Sequence, residues 1–325
     1  MKNNTYLPRI CDNLLKALLK SSGAVLIEGA KWCGKTRTAR RASENVLYMQ
    51  DPDNSASYIA MADTKPSMLL AGKAPRLLDE WQMAPVLWDA VRFEVDKREL
   101  QGQFILTGSA VPSNNVTAHT GTGRIARLLL RPMSLFESMD STGTVSLREL
   151  FEGKQQIEGM SRLSIEEIAF LTCRGGWPAT VGQEKETALQ MATNYVEAVI
   201  TMDVQRVDEI DKSPDRVRML LRSLARNIAT TASIQTIKPT LKLTKPASPT
   251  KQFHPISMLY VEFLWLKIYR HGNRQSAPKR LFAHHLNDIL LIRLLPRLLC
   301  VPIPIAFCTI LKHSAFSLKL FAPVI

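Results

Sequence analysis

The feature that most constrains the fold of this chain is the stretch Gly29-Ala30-Lys31-Trp32-Cys33-Gly34-Lys35-Thr36, which fits the pattern G-x-x-x-x-G-K-[ST]. The apolar run at 24–27 before it predicts a buried strand, and residues 36–42 after it predict a helix. In such a strand, loop and helix, the backbone N–H groups of the loop and of the helix start converge on one point. The stretch therefore predicts an α/β fold with a loop that binds phosphate.

A second segment supplies the carboxylates that such a loop uses. The residues from Pro75 to Gln82 predict a short apolar strand that ends in Asp79 and Glu80. We expect Lys35 to reach the β- and γ-phosphates of a nucleotide, while Thr36 and Asp79 hold Mg²⁺. Glu80 would then polarise the water that attacks the γ-phosphate. Taken by itself, the acidic pair could also be an ordinary turn at the end of a strand.

Two later segments add candidates for contact with the terminal phosphate. Residues 103–109 predict another buried strand that ends in small polar side chains, and Thr107 and Ser109 are candidates for a polar sensor. A glycine-rich loop farther along presents Arg124 and Arg127, and residues 128–130 after it predict a strand. Either arginine could stabilise the charge of a transition state, from the same subunit or from a neighbouring one. Plain turn residues and surface salt bridges are the alternatives.

Together these motifs resemble the bacterial and archaeal AAA-like P-loop ATPases, in which an ATPase domain precedes a C-terminal domain of unknown function. The resemblance rests on the phosphate-binding loop and on five further segments, at 77–82, 106–109, 123–127, 131–138 and 174–178. It covers residues 6–238. It implies a three-layer α/β sandwich with the additional-strand sheet order, binding and hydrolysis of ATP with Mg²⁺, a helical or winged-helix-like middle segment, and a cytoplasmic location.

The predicted organisation has four parts. These are an N-terminal helix at 1–20, an AAA-like core at 21–138, a mainly helical segment at 139–238 and an irregular tail at 239–325. The helical segment includes a basic stretch at 216–226, whose four arginines could contact the phosphates of DNA. Acidic residues just upstream favour an ordinary solvated face instead.

The tail differs from the rest of the chain in charge. The formal net charge is +13, yet residues 1–238 contain 30 Lys and Arg against 27 Asp and Glu, whereas residues 239–325 contain 12 against 2. No helical or strand periodicity persists in the tail. The basicity of the whole chain is therefore weak evidence for a nucleic-acid partner.

This abrupt change predicts that residues 239–325 are translated from a shifted reading frame. With suitable synonymous codons, the alternative frame from Lys238 onward encodes a sequence with balanced charge and clear periodicity. On this interpretation the tail is poorly folded, and the downstream task of the protein is impaired. The alternative is a divergent basic tail that binds nucleic acid.

The sequence thus predicts an ATPase with Mg²⁺ as cofactor, which could form a homo-oligomer. A second hypothesis is a nucleotide-switched module with little turnover that engages DNA or a protein through its C-terminal region. A small-molecule kinase is less favoured, because Glu80 beside Asp79 suits activation of water.

The N-terminus has no signal-peptide pattern, and the five cysteines form no C-x-x-C pair. The apolar stretch at 289–310 contains two arginines and three prolines, so we expect no membrane span.

Overall fold

The computed structural model describes residues 6–108, 121–153, 158–203 and 213–226. Within these residues the chain divides into two compact units, with the boundary between Arg131 and Pro132. The predictions for Ser109 and for the tail at 239–325 lie outside the described residues. The four-part division of the sequence stays a prediction.

The first unit is built on a sheet of five parallel strands. In chain order these are β1 (Ala24–Glu28), β2 (Asn45–Tyr48), β3 (Arg76–Asp79), β4 (Phe104–Thr107) and β5 (Ile125–Leu129). Their order across the sheet is β2-β3-β4-β1-β5. Strand β4 lies between the strand that precedes the phosphate-binding loop and the strand that ends in Asp79. This is the predicted additional-strand order.

The described part of the first unit also contains four α-helices: α1 (Cys11–Ser21), α2 (Lys35–Arg41), α3 (Ser55–Thr64) and α4 (Val86–Arg98). Every residue of β1 is buried, which requires cover on both faces of the sheet and explains its unbroken apolar run. The connections between parallel strands must cross over, and helices provide these crossovers. The predicted α/β architecture with flanking helices is confirmed.

A pair of tryptophans lies in the core of the first unit. The ring centroids of Trp81 and Trp88 are 5.1 Å apart at an angle of 33°. Trp88 lies on α4 and only 2% of its surface is exposed, whereas Phe93 on the same helix is 64% exposed. One helix therefore carries one aromatic side chain that is packed in the core and one that faces solvent.

We expect Trp88→Ala to lower the free energy of unfolding by about 3–5 kcal/mol, the usual cost of truncating a buried aromatic side chain. The matched control is Phe93→Ala, which removes an exposed ring from the same helix and should change stability by less than about 1 kcal/mol. Urea unfolding followed by circular dichroism measures both. Equal losses for the two variants would contradict this description of the core.

The regular secondary structure in the described part of the second unit is helical. Its helices are α5 (Leu147–Phe151), α6 (Ile165–Arg174), α7 (Lys185–Ala198) and α8 (Pro214–Arg226), with a π-helical turn at Val199–Asp203. Helix α6 begins at a capping box in which Ser164 and Glu167 exchange hydrogen bonds between side chain and backbone. The helical prediction holds here, and none of the described residues of this unit forms the strands of a winged helix.

Motif residues of the second unit stabilise its own fold. The buried guanidinium of Arg174 donates to Asp140 at 2.8 Å and to the Ser138 hydroxyl at 3.2 Å. The Met133 N–H donates to the Gly176 carbonyl at 2.7 Å, and a Cβ atom at Gly176 would collide with the Met133 backbone. These contacts account for the arginine and the second glycine of the R-G-G-W-P motif without a catalytic role.

One arginine of the basic helix α8 has acidic partners. Arg218 donates to Glu197 at 2.8 Å and to Asp215 at 3.1 Å. These ion pairs agree with the solvated face that the sequence favours over DNA contact. Among the described helices, none is both long enough and apolar enough to cross a lipid bilayer.

Candidate active site

The predicted site residues meet at one edge of the sheet. Gly29 follows β1, Asp79 is the last residue of β3, and Thr107 is the last residue of β4. In the register of the sheet, Thr107 is paired with Asp79 on one side and with Ile27 on the other. Because parallel strands end at the same edge, segments far apart in sequence converge there.

The backbone of the phosphate-binding loop depends on two glycines. Gly29 has φ of 155°, and a Cβ atom there would collide with the Leu130 carbonyl oxygen. Gly34 has φ of 103° and immediately precedes α2. Such positive φ values strain other residues. The two glycines of the motif therefore set the path of the loop into the helix.

Lys35 is buried at the start of α2, where the loop meets the helix. Its ammonium group donates to the carbonyl oxygens of Gly29 at 2.9 Å and of Ala30 at 3.0 Å. Both acceptors are neutral, so these two bonds hold the positive charge without neutralising it. The ammonium is thus available to exchange a carbonyl for a more negative oxygen, which forms a stronger hydrogen bond.

A cluster of two hydroxyls and a carboxylate lies at the end of β3. Asp79 Oδ1 accepts hydrogen bonds from the Thr36 hydroxyl at 2.8 Å and from the Thr107 hydroxyl at 2.5 Å. Asp79 is fully buried, and its Oδ2 atom has no hydrogen-bond partner among the described residues. A buried carboxylate oxygen in this state requires a partner. Carboxylate and hydroxyl oxygens suit Mg²⁺, so these residues fit a magnesium ion.

Glu80 leaves the strand immediately after this cluster. Its backbone is left-handed, with φ of 56°, and it begins the 3₁₀ turn Trp81–Met83. The side-chain amide of Gln82 donates to the Glu80 carboxylate. Asp79 and Glu80 therefore differ in direction because the backbone turns immediately after Asp79.

The comparison with protein families agrees with this arrangement. The profile of the AAA domain family matches residues 21–139. Residues 21–139 are an AAA domain. The profile of a domain of unknown function, DUF8612, matches residues 165–282 and so follows the AAA domain. This second match continues past residue 239, and the out-of-frame origin of the tail stays a prediction.

Solved structures provide a further comparison. A Walker-type ATPase of Pyrococcus abyssi is 12% identical, with a TM-score of 0.49 over 90% of this chain and 97% of that chain. A signal-transduction ATPase with numerous domains and a tetratricopeptide repeat sensor, from Pyrococcus horikoshii, is 15% identical, with a TM-score of 0.33 over 100% of this chain and 47% of that one. A DNA replication initiation factor is 14% identical, with a TM-score of 0.27 over 77% and 90% of the two chains. No curated protein matches the chain.

The AAA domain places Arg124 away from the phosphate-binding loop. Arg124 precedes β5 and its carbonyl accepts from the Ala24 N–H at 3.0 Å, so it lies at the amino-terminal edge of the sheet. At about 3.3 Å per residue, Ala24 is roughly 13 Å from the end of β1. The guanidinium of Arg124 donates to Asp96 at 2.8 Å. This position does not support action of Arg124 on the loop of its own subunit, and a role across a subunit boundary stays a prediction.

Arg127 of the AAA domain lies within β5 and is bound to a carboxylate. It donates to Glu28 Oε1 at 2.9 Å. Burial raises the pKa of the Glu28 carboxyl, and the charge of Arg127 opposes this shift. A role for Arg127 on bound phosphate would require it to exchange this partner.

The sequence did not predict the role of the segment before α1. Buried Arg9 donates to the carbonyl of Cys33 in the phosphate-binding loop at 3.0 Å and to the carbonyl of Arg131 at 2.6 Å. The Tyr6 hydroxyl donates to Asp12 at 2.6 Å, and burial together with this bond raises the pKa of Tyr6. No spacing rule marks Arg9, since both of its partners are distant in sequence. The N-terminal segment therefore supports the loop of the AAA domain.

Proposed function

We propose that the AAA domain binds Mg·ATP and hydrolyses it to ADP and phosphate. One observation carries this proposal: the hydrogen-bonded cluster of Thr36, Asp79 and Thr107 lies at the same sheet edge as the Lys35 loop, and Glu80 follows it directly. A loop for phosphate, oxygen ligands for a cation and a carboxylate for water are the components that ATP hydrolysis needs.

The loop from Gly29 to Thr36 would bind the phosphates. Its backbone N–H groups and the N-terminus of α2 favour negative charge. Lys35 would move from the neutral carbonyls of Gly29 and Ala30 to the β- and γ-phosphate oxygens. In the structure its ammonium contacts the two carbonyls at the start of the loop, which supports this role.

Thr36 and Asp79 are the residues that would hold Mg²⁺, and the ion would offset the negative charge of the phosphates when bound. The Thr107 hydroxyl donates to Asp79 and would fix the orientation of its carboxylate. This is a different role from the phosphate sensor that the sequence predicts. Thr107 could reach the γ-phosphate only by giving up this bond.

Glu80 would act as the general base. It accepts a proton from water as the water oxygen forms a bond to the γ-phosphorus. The bond between that phosphorus and the β,γ-bridging oxygen breaks, and ADP leaves with the electron pair. The products are ADP and phosphate, and the proton is released from Glu80 to solvent.

Thr36 provides the test of the magnesium site. We expect the full chain to release phosphate from ATP with Mg²⁺ and not with excess EDTA. Thr36→Ala should lower turnover by about 10-fold or more, because it removes a ligand that substitution by serine retains. Thr36→Ser is the matched control and should remain within about 3-fold of the unchanged chain. The measurement is phosphate release by both variants as a function of Mg²⁺ concentration. Equal activity of the two variants would contradict a role for the Thr36 hydroxyl in binding Mg²⁺.

A further inference from the structure

The side chain of Gln82 lies between the Glu80 carboxylate and the end of β4. Its Nε2 atom donates to Glu80 Oε2. On its other side the amide packs on Gly108, the residue that follows Thr107: a Cβ atom at Gly108 would collide with Gln82 Oε1 and lie 2.9 Å from Cδ. The amide is thus held by contacts on both sides.

The contact with Gln82, and not the backbone conformation, accounts for a glycine at position 108. Unlike Gly29 and Gly34, it is not among the residues with positive φ. Since its conformation is open to other residues, a side chain at this position would meet the Gln82 amide and displace it. Gly108 therefore belongs to the packing that fixes Gln82.

The other end of the amide meets no donor among the residues that the structure describes. Gln82 Oε1 is buried and has no hydrogen-bond partner among the described residues. A buried acceptor without a partner costs free energy, so a glutamine at this position needs a favourable interaction that offsets the cost. The hydrogen bond from Gln82 Nε2 to Glu80 is such an interaction.

We propose that Gln82 is a positioning residue for Glu80. This inference rests on the proposed function. Glu80 leaves β3 through a left-handed turn and its carboxylate could take several rotamers. The hydrogen bond from Gln82 favours one of them, in which the carboxylate takes the proton from the attacking water. Gln82 itself exchanges no proton and binds no phosphate.

The test substitutes Gln82→Met, which keeps the length and packing of the side chain but removes the donor. We expect kcat for ATP to fall about 10-fold, as for the loss of one hydrogen bond. Affinity for Mg·ADP, measured by calorimetry, should stay within about 2-fold, and Tm within a few degrees. A loss of stability or of ADP affinity matching the loss of kcat would overturn the inference, since a merely structural residue would behave in that way.

A double-mutant cycle tests whether Gln82 acts through Glu80. Adding Gln82→Met to Glu80→Gln should cause no further loss in single-turnover hydrolysis, because there is no carboxylate left to position. A further loss of similar size would mean that Gln82 acts independently, and would overturn the inference.

Gly108 offers an independent approach to the same bond. Gly108→Ala should displace the amide and lower kcat by a similar factor, whereas in a Gln82→Ala background the same change should cost nothing more. Full activity of Gly108→Ala would contradict the packing described here. If instead the unchanged chain released no phosphate, or Glu80→Gln turned over normally, the proposed function would fail and not the role of Gln82 alone.

Discussion

Replacing Lys35 with alanine should lower the affinity of the chain for ATP by about 100-fold or more. The ammonium is buried beside the carbonyls of Gly29 and Ala30, and two charge-assisted hydrogen bonds to phosphate account for a loss of this size. Calorimetric titration with a non-hydrolysable ATP analogue measures it. Since Lys35 also ties the start of the loop, the variant requires a thermal unfolding curve beside the titration.

Two further variants make this result decisive. Lys35→Met keeps the length of the side chain without its charge, and should lose affinity as Lys35→Ala does even if the alanine variant is unstable. Lys97→Ala is the control, because Lys97 is an exposed lysine of α4 whose contact is with Glu94 on the same helix. Normal binding by folded Lys35→Met would refute the phosphate-binding role of this lysine.

Glu80→Gln should lower kcat for ATP by about 10²- to 10⁴-fold, the usual contribution of a general base, and leave nucleotide affinity close to that of the unchanged chain. Glutamine keeps the size of the side chain but accepts no proton at neutral pH. Phosphate release under saturating ATP, with Mg·ADP binding measured separately, distinguishes chemistry from binding.

Glu99→Gln is a matched control for this substitution. Glu99 is also left-handed, with φ of 55°, and follows α4. The substitution therefore repeats the loss of a carboxylate in the same backbone conformation, at a position with no proposed role in the reaction. If Glu80→Gln hydrolysed ATP as fast as Glu99→Gln, Glu80 would not be the base.

The parts of the site that could be predicted are those determined by residues close together in the sequence. The loop from Gly29 to Thr36 fixes its own conformation through its glycines, and Asp79 ends a recognisable apolar strand. The order of the strands followed from the resemblance to a family. Local patterns do not determine it, because it depends on which crossovers pack on which face of the sheet.

The arginines illustrate a limit of local patterns. The sequence predicts a strand at 128–130, with Arg124 and Arg127 in the loop before it. Strand β5 instead spans Ile125–Leu129, which puts Arg127 inside the strand and Arg124 at its amino end. A shift of three residues at a strand boundary thus moves Arg127 from the loop into the sheet, while Arg124 stays at the amino end of the strand.

Gln82 and Arg9 were not predictable for a different reason. Gln82 depends on a glycine at the end of another strand, and Arg9 on carbonyls at Cys33 and Arg131. These contacts exist only once the fold has brought distant segments together. The polar residues that support a site are therefore harder to predict than those that touch the substrate.

The two hydrogen bonds of Arg9 bear on how the AAA domain should be isolated for biochemistry. A fragment cut to the family match at 21–139 would lack Arg9 and all but the last residue of α1, and the carbonyls of Cys33 and Arg131 would lose a charged donor. Poor expression or weak nucleotide binding by such a fragment would then result from the truncation and would not describe the AAA domain of the full chain. Fragments expressed to study this domain should begin before Tyr6.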